Sequence, residues 1–423
     1  MKKKRKARNK DVIEKLNVLV ELDETPQNVG VLALDGSDLY FEYSDEFQKS
    51  GLEISPFRLS LKQRFFKNPG RRGEYNFLPG VFVDSLAEGW GSQLRAHGQK
   101  NQPQQQSILQ RLAVIGDRGL GALRYEPANL PDKPEKDGPI NLNKIARAAR
   151  RFAQGKDTEP DENLLFAGSY VGGSTPKAMI NIDPKSHKIY HGVYASAEND
   201  ELYIVKFPQQ TRQHKNLGAL EYLYSVLARK AGVDMTDTKL LELGSERYFA
   251  IKRFDRADNR KLHMHSLENM IDAPFDTPVP YEAFFKATMF LTKDMSQVEE
   301  VYRRMCLNIA LHNRDDHPGN HAFLMNAKGE WRLSPAYDLS YAQSPGKHLQ
   351  MRINGKAEYT QDDLVKIGVA NGLSARKCRS IQKQIKEALA GFSRLAKKLE
   401  IEDELRKLIM HYITQYFGQQ LGR

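Results

Sequence analysis

The stretch HNRDDHPGNH, at residues 312–321, is a dense polar segment that follows an amphipathic helical pattern, and it decides which fold the sequence predicts. Arg314-Asp315 and Asn320 reproduce the R-D-x-x-x-x-N spacing of a kinase catalytic loop. Phosphoryl transfer needs a carboxylate near the attacking hydroxyl and oxygen ligands for Mg²⁺. In this interpretation Asp315 accepts the proton of the substrate and Asn320 binds the metal.

A hairpin pattern and a third acidic residue follow this stretch. Residues 321–325 and 330–333 have the composition of strands, with a turn at 326–329 between them. The next polar group is Asp338, in Tyr337-Asp338-Leu339, which would be the second metal ligand in the position of the kinase D-F-G aspartate. Two spaced carboxylates, an amide and an intervening hairpin are together a fairly specific indication of a kinase, although none of these features is specific alone.

Two other interpretations of the polar stretch compete with this one. Asp315 and Asp316 would be solvated turn residues if Pro318-Gly319 simply closed a turn. A zinc site would combine a carboxylate with three imidazoles, those of His312, His317 and His321. Neither alternative explains the upstream features or Asp338, so the kinase interpretation is favoured.

The first upstream feature is a lysine in an apolar strand pattern at 202–207 (LYIVKF). Lys206 shares one face with Leu202 and Ile204, and a cation among apolar side chains is costly unless it is paired. A kinase lysine on such a strand contacts ATP phosphates and pairs with a helix glutamate, for which Glu221 is the best candidate. The alternative is an edge-strand lysine whose ammonium group reaches solvent.

The second upstream feature is the glycine-containing loop GSYVGGSTPK at 168–177. The sequence predicts strands on both sides of it, at 164–168 and 178–182. Gly172-Gly173 would let backbone amides approach phosphates closely. The loop is neither a Walker A motif nor G-x-G-x-x-G, and alone it would more often be an ordinary hairpin connection.

The order of these patterns predicts an α+β chain with a protein-kinase-like, two-lobed fold. Residues 160–265 are strand-rich, and helical spacing dominates beyond 280, where Ser296-Gln-Val-Glu299 has the form of a capping box. A further mixed α+β region precedes both lobes and ends in a polar, Pro-rich stretch. The predicted units are a basic arm at 1–16, an N-terminal subdomain at 17–138, a strand-rich N-lobe at 139–265 and an all-helical C-lobe at 266–423.

Composition excludes several protein classes. The 423 residues carry a formal net charge of +11, which invites a nucleic-acid interpretation, but residues 1–10 hold seven of the 64 Lys and Arg and no acid. The remaining chain is only weakly basic, and we expect the arm to be a disordered, solvated tail rather than a DNA-contacting one. No apolar stretch approaches the ~18 residues of a membrane helix. Two cysteines, Cys306 and Cys378, exclude a disulfide framework and favour the cytoplasm.

Six stretches in order resemble the HipA family of serine/threonine-protein kinases, the toxins of type II toxin–antitoxin pairs. The resemblance spans most of the chain. The stretches are GVFVDSLAEGWG (80–91), IGDRGLGALRY (115–125), VGGSTPKA (171–178), KRFDR (252–256) with LHMHSLENM (262–270), NRDDHPGN (313–320) and SPAYDLS (334–340).

This resemblance implies ATP and Mg²⁺ as cofactors, with Asp315 as the catalytic base and Asn320 and Asp338 as the metal ligands. Lys252 and Phe254 would meet the adenine. The residues that the resemblance places around ATP are Gly172, Gly173, Ser174, Thr175, Lys177, Lys206, Glu221, Lys252, Phe254, His317, Asn320 and Asp338.

One departure from the family concerns regulation. Family members often carry, just before the two glycines, a serine whose own phosphorylation silences the enzyme. Tyr170 occupies that position here, so the candidate autophosphorylation sites shift to Ser169 and Ser174. His265-Ser266 also replaces the usual acidic pair, and no role is assigned to these two residues from the sequence.

The resemblance also implies partners. A small helix-turn-helix antitoxin, HipB-like, would bind the toxin and carry it to operator DNA, and the substrate would be a protein such as an aminoacyl-tRNA synthetase. Two alternatives stay open: a small-molecule phosphotransferase with the same D-x-x-x-x-N core, and a DNA-bound corepressor without catalysis. The chain has no recognition-helix pattern of its own, which weighs against the corepressor.

Overall fold

The computed structural model describes most of the chain outside the N-terminal arm. The described residues are 13–98, 106–130, 138–157, 159–194, 201–208, 216–257, 260–273, 277–342, 351–353 and 359–418. The seven basic residues of the arm lie outside these ranges, as does most of the Pro-rich boundary stretch. The first strand begins at Lys15, so the last two residues of the predicted arm belong to the N-terminal subdomain.

The N-terminal subdomain is an antiparallel sheet with helices on one side. Within the described residues its strand order is β4-β3-β2-β1-β5, and a two-residue turn, Gly36-Ser37, separates β2 from β3. The elements are β1 Lys15–Val20, β2 Gln27–Asp35, β3 Asp38–Tyr43, α1 Asp45–Ser50, β4 Phe65–Lys67, α2 Gly80–Val83, a 3-10 turn Asp84–Leu86, α3 Trp90–Gly98, α4 Ile108–Ile115 and β5 Leu123–Glu126.

Residues 80–98 form α2, the 3-10 turn and α3 rather than one continuous helix. Ala87 and Gly89 have left-handed φ values of 50° and 81°, so the chain turns sharply between the 3-10 turn and α3. A residue other than glycine rarely adopts this conformation without compensating contacts. The turn places residues 87–90 beside the glycine-containing loop of the next lobe.

The strand-rich lobe has a second antiparallel sheet, ordered β7-β6-β8-β10-β9 in the described part of the chain. Its elements are α5 Leu142–Ala153, α6 Glu162–Gly168, β6 Lys177–Ile182, β7 Ile189–His191, β8 Glu201–Lys206, α7 Leu217–Lys230, β9 Thr238–Leu243 and β10 Glu246–Lys252. The strand predicted at 164–168 is wrong, because this segment is helix α6. Asp161 caps that helix by accepting a hydrogen bond from the Asn163 amide.

The C-lobe is built mainly of helices, but it is not all-helical as predicted, because a small sheet ordered β13-β14-β15 extends into it in the described residues. The predicted hairpin forms strands β14 and β15, but Asp294, not Ser296, caps α10. The elements from the end of the N-lobe onward are β11 Arg256–Ala257, β12 Arg260–Lys261, β13 His263–Ser266, α8 Leu267–Met270, α9 Tyr281–Thr292, α10 Met295–Ala310, a 3-10 turn Pro318–Asn320, β14 Ala322–Met325, β15 Trp331–Leu333, α11 Gln361–Ala370, α12 Ala375–Leu389, α13 Phe392–Lys398 and α14 Asp403–Phe417. No helix in the described ranges has the length and apolar character needed to cross a membrane.

The KRFDR stretch ties the N-terminal subdomain to the lobes. The Arg253 guanidinium donates two hydrogen bonds to the Asp255 carboxylate, at 3.0 and 2.8 Å, and both side chains are buried. The amide of Gly121, in the N-terminal subdomain, donates to the same carboxylate at 2.8 Å, and Arg256 donates to the Gly121 carbonyl at 3.0 Å. A buried carboxylate with this many donors is stable as the charged form, and it fixes the 119–121 turn against the lobe.

A second buried link explains the LHMHSLENM stretch. The Asp84 carboxylate accepts hydrogen bonds from the Ser266 amide at 2.8 Å, the Ser266 hydroxyl at 2.7 Å and the Asn269 side chain at 2.7 Å, and it contacts His265 Nδ1 at 2.6 Å. Burial alone would raise the pKa of Asp84, but these hydrogen bonds outweigh it and hold the pKa below its usual value. His265-Ser266, left without a role by the sequence, therefore holds the start of the C-lobe on the N-terminal subdomain.

We expect the substitution Asp84→Asn to lower the free energy of unfolding by about 2 kcal/mol, because it replaces a charged acceptor by an amide that cannot accept at both atoms. The pKa of Asp84 is lower in the folded protein than in the unfolded chain. The ionised carboxylate therefore stabilises the fold at any pH above the ordinary aspartate pKa, and this stabilisation is lost as the pH falls through the pKa of the folded protein. Urea unfolding at pH 7 measures the effect. Asp45→Asn is the control, because Asp45 forms an exposed ion pair worth about 1 kcal/mol at most. Equal stabilities of the two variants would contradict the expectation.

Candidate active site

The centre of the site is Lys206, at the end of strand β8. Its ammonium group donates to the Glu221 carboxylate on α7 and to Asp338 Oδ1 at 2.5 Å. The side chains of Lys206 and Glu221 are each 12% exposed, whereas Asp338 is 42% exposed. The lysine that the sequence places among apolar strand residues is therefore paired with the helix glutamate predicted for it. Asp338, from a distant segment, is the second partner.

This pairing controls the charges of all three groups. Burial alone would lower the pKa of Lys206, but the carboxylates of Asp338 and Glu221 outweigh it and raise the pKa above its usual value. The Lys206 cation in turn holds the pKa of Asp338 well below its usual range. Burial raises the pKa of Glu221, although Lys206 opposes that change. Asp338 is the member of this cluster that is exposed to solvent, and its carboxylate stays charged.

A second lysine lies directly across the sheet. Lys177 on β6 is opposite Lys206 in the antiparallel pairing of β6 with β8. Its ammonium group donates to the Gly172 carbonyl at 2.7 Å. Burial first, and the charge of Lys206 second, lower the pKa of Lys177 to about 8. Two cations at the mouth of the glycine-containing loop form a site that favours an anion such as a phosphate group.

The glycine-containing loop joins helix α6 to strand β6, rather than two strands as predicted. Gly173 has a left-handed φ of 93°, and a Cβ atom there would lie 2.6 Å from the Lys177 ammonium nitrogen. The left-handed backbone therefore favours glycine at this position, and a Cβ atom would also force the Lys177 ammonium group to shift. Ser174 and Gly173 are exposed at the tip, and Thr175 is half-buried.

The two candidate autophosphorylation sites differ in exposure. Ser169 is fully buried, and its hydroxyl donates to the Leu165 carbonyl. Ser174 is exposed at the loop tip. Tyr170, at the family's serine position, is buried and accepts a hydrogen bond from Arg118 at 2.9 Å. Of these three hydroxyl-bearing residues, only Ser174 is exposed to solvent in this conformation.

The predicted catalytic loop follows helix α10 and ends in the 3-10 turn Pro318–Asn320. The Asn320 side-chain amide donates to the Asp315 carbonyl at 2.9 Å, which closes the loop on itself. His317 Nδ1 accepts from the Gly319 amide at 3.2 Å, so this side chain caps the turn. The half-buried Asp315 and the buried Asn320 are thus held five residues apart on one rigid turn.

A network of buried hydrogen bonds around Asp316, which the sequence did not predict, supports this loop. The buried Asp316 carboxylate accepts from the Tyr281 hydroxyl and contacts His321 Nε2 at 2.9 Å. Its backbone carbonyl accepts from the Met351 amide at 2.8 Å. The second aspartate of the R-D-D stretch is therefore a structural residue, and its neighbour Asp315 keeps the more exposed position. The hydrogen-bonding residue at 281 is too distant in sequence for spacing to reveal it.

The three histidines have separate partners, which contradicts the zinc alternative. The His312 ring stacks on Tyr412 with centroids 3.6 Å apart, His317 caps the 3-10 turn and His321 contacts Asp316. Across the described ranges no group of three or more His, Cys, Asp and Glu side chains is arranged to hold a metal ion.

The donor set does suit a magnesium ion that arrives with a nucleotide. Since the Asn320 amide nitrogen donates to the Asp315 carbonyl, the amide oxygen is the atom that would face a cation. The Asp338 carboxylate is charged and 42% exposed. Mg²⁺ prefers such oxygen ligands and usually binds through one or two side chains plus substrate phosphates.

The predicted adenine contacts are on the segment that leaves strand β10. The Lys252 amide donates to the Asp237 carbonyl and the Arg253 amide to the Leu202 carbonyl, both at 2.8 Å, so neither donor is directed at a ligand. The Phe254 ring lies 5.5 Å from the ring of Tyr337, the residue before Asp338. The expected contact with a nucleobase therefore rests on Phe254 and on backbone carbonyls, and not on the Lys252 amide.

Two family models identify the family of the chain, and two curated relatives are named as putative kinases. The family model HipA-like C-terminal domain matches residues 169–392, and the model HipA N-terminal domain matches residues 19–126. Among curated proteins, "Putative kinase Y4dM" of Sinorhizobium fredii is 23% identical over 306 residues, which are 66% of this chain and 66% of that protein. A "Putative kinase" of Haemophilus influenzae is 25% identical over 258 residues, covering 52% of this chain and 72% of that one.

One solved structure resembles nearly the whole chain. It is the Shewanella oneidensis HipA in complex with HipB and its operator DNA, with a TM-score of 0.67 and 17% sequence identity over 95% of each chain. At this identity the likeness concerns the fold, and the two-lobed, kinase-like arrangement with its additional N-terminal subdomain agrees with the sequence prediction.

Proposed function

The chain belongs to the HipA family, and from this premise we propose that it is an ATP- and Mg²⁺-dependent serine/threonine protein kinase that arrests growth as the toxin of a toxin–antitoxin pair. The observation that supports this most strongly is the position of Lys206 between Glu221 and Asp338. A kinase needs this lysine–glutamate pair to place the nucleotide phosphates. A structural ion pair would not need the partly exposed Asp338 as a third member.

The residues divide the work of phosphoryl transfer. Lys206 and Lys177 attract and orient the phosphates, and the lack of side chains at Gly172-Gly173 lets the loop approach them. The Gly173 amide is not one of the phosphate donors in this conformation, because it donates to the Glu88 carbonyl. Asn320 and Asp338 would hold Mg²⁺, which, when bound, neutralises charge on the phosphates. Asp315 accepts the proton from the attacking hydroxyl, since a carboxylate on a rigid turn can meet the substrate with its orientation already fixed.

The proposed partner is a small helix-turn-helix antitoxin, and the proposed substrate is a protein, with an aminoacyl-tRNA synthetase as the first to test. The similar Shewanella protein was solved with HipB and operator DNA. We propose the same kind of assembly here, with DNA contacted mainly through the antitoxin.

The test of the function is phosphate transfer from γ-labelled ATP in a cell extract. The proposal expects label in protein, on serine or threonine, and growth arrest when the chain is expressed without its antitoxin. Label in metabolites alone would identify a small-molecule phosphotransferase. Tight binding to operator-like DNA without ATP turnover would identify a corepressor.

We expect kcat/KM for ATP to fall as pH rises through about 8, because Lys177 loses its charge there and a neutral amine no longer attracts phosphate. This ratio reports ionisations of the free enzyme, in which the pKa of Lys177 is lowered by burial. The variant Lys177→Arg keeps its charge at any of these pH values and should have a flat profile between pH 7 and 9. The same inflection near pH 8 in both proteins would show that another group controls it.

A further inference from the structure

The glycine-containing loop begins from a helix, and this leaves its first half without a strand partner in its own lobe. In a loop that connects two paired strands, the sheet ladder holds both ends. Here residues 162–168 are helix α6, and the sheet begins only at Lys177. A loop with two adjacent glycines has high conformational entropy, so another part of the molecule must order it before it can bind phosphates without loss of affinity.

The N-terminal subdomain supplies that order through residues 88–90, the bracing segment. The Trp90 amide donates to the Gly173 carbonyl and the Gly173 amide donates to the Glu88 carbonyl, each at 2.8 Å. Gly89 and Gly173 thus form a parallel bridge. The Trp90 indole also donates to the Lys177 carbonyl at 2.8 Å.

Two arginines of the same subdomain hold the start of the loop. Arg95, which is buried, donates to the carbonyls of Ser169 and Leu86. Arg118 donates to the Tyr170 hydroxyl at 2.9 Å, and its guanidinium lies 5.7 Å from the Tyr170 ring centroid. The N-terminal subdomain therefore contacts the loop at its start, at its glycine tip and at Lys177. These contacts add to two within the lobe, from the Lys177 ammonium to the Gly172 carbonyl and from the Phe207 amide to the Pro176 carbonyl.

We infer that the N-terminal subdomain is part of the nucleotide site, and that Trp90 and Gly89 are positioning residues that keep the glycine-containing loop in its phosphate-binding form. This inference rests on the proposed function and deepens it. The subdomain touches no reacting atom. It acts on ATP affinity through the loop, and the chemical step still depends on Asp315.

Gly89 offers the sharpest test. It has a left-handed φ of 81°, and a Cβ atom there would lie 2.6 Å from the Gly173 carbonyl oxygen, so Gly89→Ala must push the bracing segment and the loop apart. Gly51 is a matched control in the same subdomain, because its φ is 77° and a Cβ atom there would meet nothing within 4 Å. Gly51→Ala carries the same backbone cost without the collision.

The experiment measures binding of a non-hydrolysable ATP analogue with Mg²⁺ to the full chain by calorimetry, and hydrogen exchange at amides 172–175. Gly89→Ala should weaken binding about 10- to 100-fold, because the bound nucleotide would then have to order the loop itself. Exchange in the loop should be faster, and kcat at saturating ATP should fall less than the affinity. Gly51→Ala should match the wild type.

Equal affinity and equal loop exchange in Gly89→Ala and Gly51→Ala would overturn the inference and leave the proposed function intact. If the wild type itself bound no nucleotide, the proposed function would fail, and the inference with it. If Gly89→Ala does not fold, the variant Trp90→Phe tests the inference instead. It removes the indole donor to the Lys177 carbonyl and keeps an aromatic ring against Phe152. Unchanged nucleotide affinity and loop exchange in that variant would likewise overturn the inference.

Discussion

Asp315→Asn is expected to lose phosphotransfer by on the order of 10³-fold while it keeps its fold and its affinity for nucleotide. An asparagine has the shape of the aspartate but cannot accept the proton of the attacking hydroxyl, and a general base contributes about 10²- to 10⁴-fold to such reactions. Asp315 is half-buried on the rigid turn and asparagine keeps the size of its side chain, so we expect the fold to survive the change. The measurement is the initial rate of label transfer from ATP, alongside calorimetric nucleotide binding.

The control for this variant is Asp362→Asn, an exposed carboxylate in the first turn of α11, which should transfer phosphate at the wild-type rate. Transfer by Asp315→Asn at more than about a tenth of the wild-type rate would be inconsistent with a general base at this position. The base would then have to be sought among the other carboxylates of the site.

Lys206→Met is expected to abolish nucleotide binding and to lower the free energy of unfolding by about 3 kcal/mol. Removing the cation leaves Glu221, a largely buried carboxylate, beside Asp338 with only the charge of Lys177 to oppose its burial, and breaking a buried pair in this way is strongly destabilising. The folded-state pKa of Glu221 is already raised by burial and should rise further. In the variant, Glu221 then binds a proton more tightly in the folded protein than in the unfolded chain. The free energy of unfolding of the variant should therefore fall further below that of the wild type as the pH rises from the ordinary glutamate pKa to pH 7.

The double substitution Lys206→Met with Glu221→Gln separates stability from function. It removes a buried charge together with its partner, so it should recover most of the lost stability but none of the nucleotide binding. Denaturant unfolding and calorimetry on the three proteins give both quantities. Recovery of binding in the double variant would mean that Lys206 serves the fold alone.

The parts of the fold that the sequence predicts well are those with local signals. The strand containing Lys206, the helix containing Glu221 and the hairpin after Asn320 each have an apolar pattern of the right period, and each forms close to its expected bounds. The lysine–glutamate pair was predictable because a cation in an apolar strand requires a partner.

The errors come from caps and from long-range contacts. Residues 164–168 are apolar in a way that suits a short strand, and the signal for helix was the capping Asp161 just before them. Asp294 likewise replaces Ser296 as the cap of α10. The hydrogen bonds from Ser266 to Asp84 span 182 positions, and no periodicity within either segment indicates that they meet.

The family models match two separate regions, residues 19–126 and 169–392. A buried hydrogen bond between these regions requires that they evolve together. The Asp255 carboxylate lies in one of them and the Gly121 amide that donates to it lies in the other. If recombination replaced the first region by that of a distant relative with a different turn at 119–121, a buried charge would lose a donor, which costs far more than a surface mismatch. Exchange between relatives should therefore succeed only where this turn and its R-F-D-R partner come from the same parent.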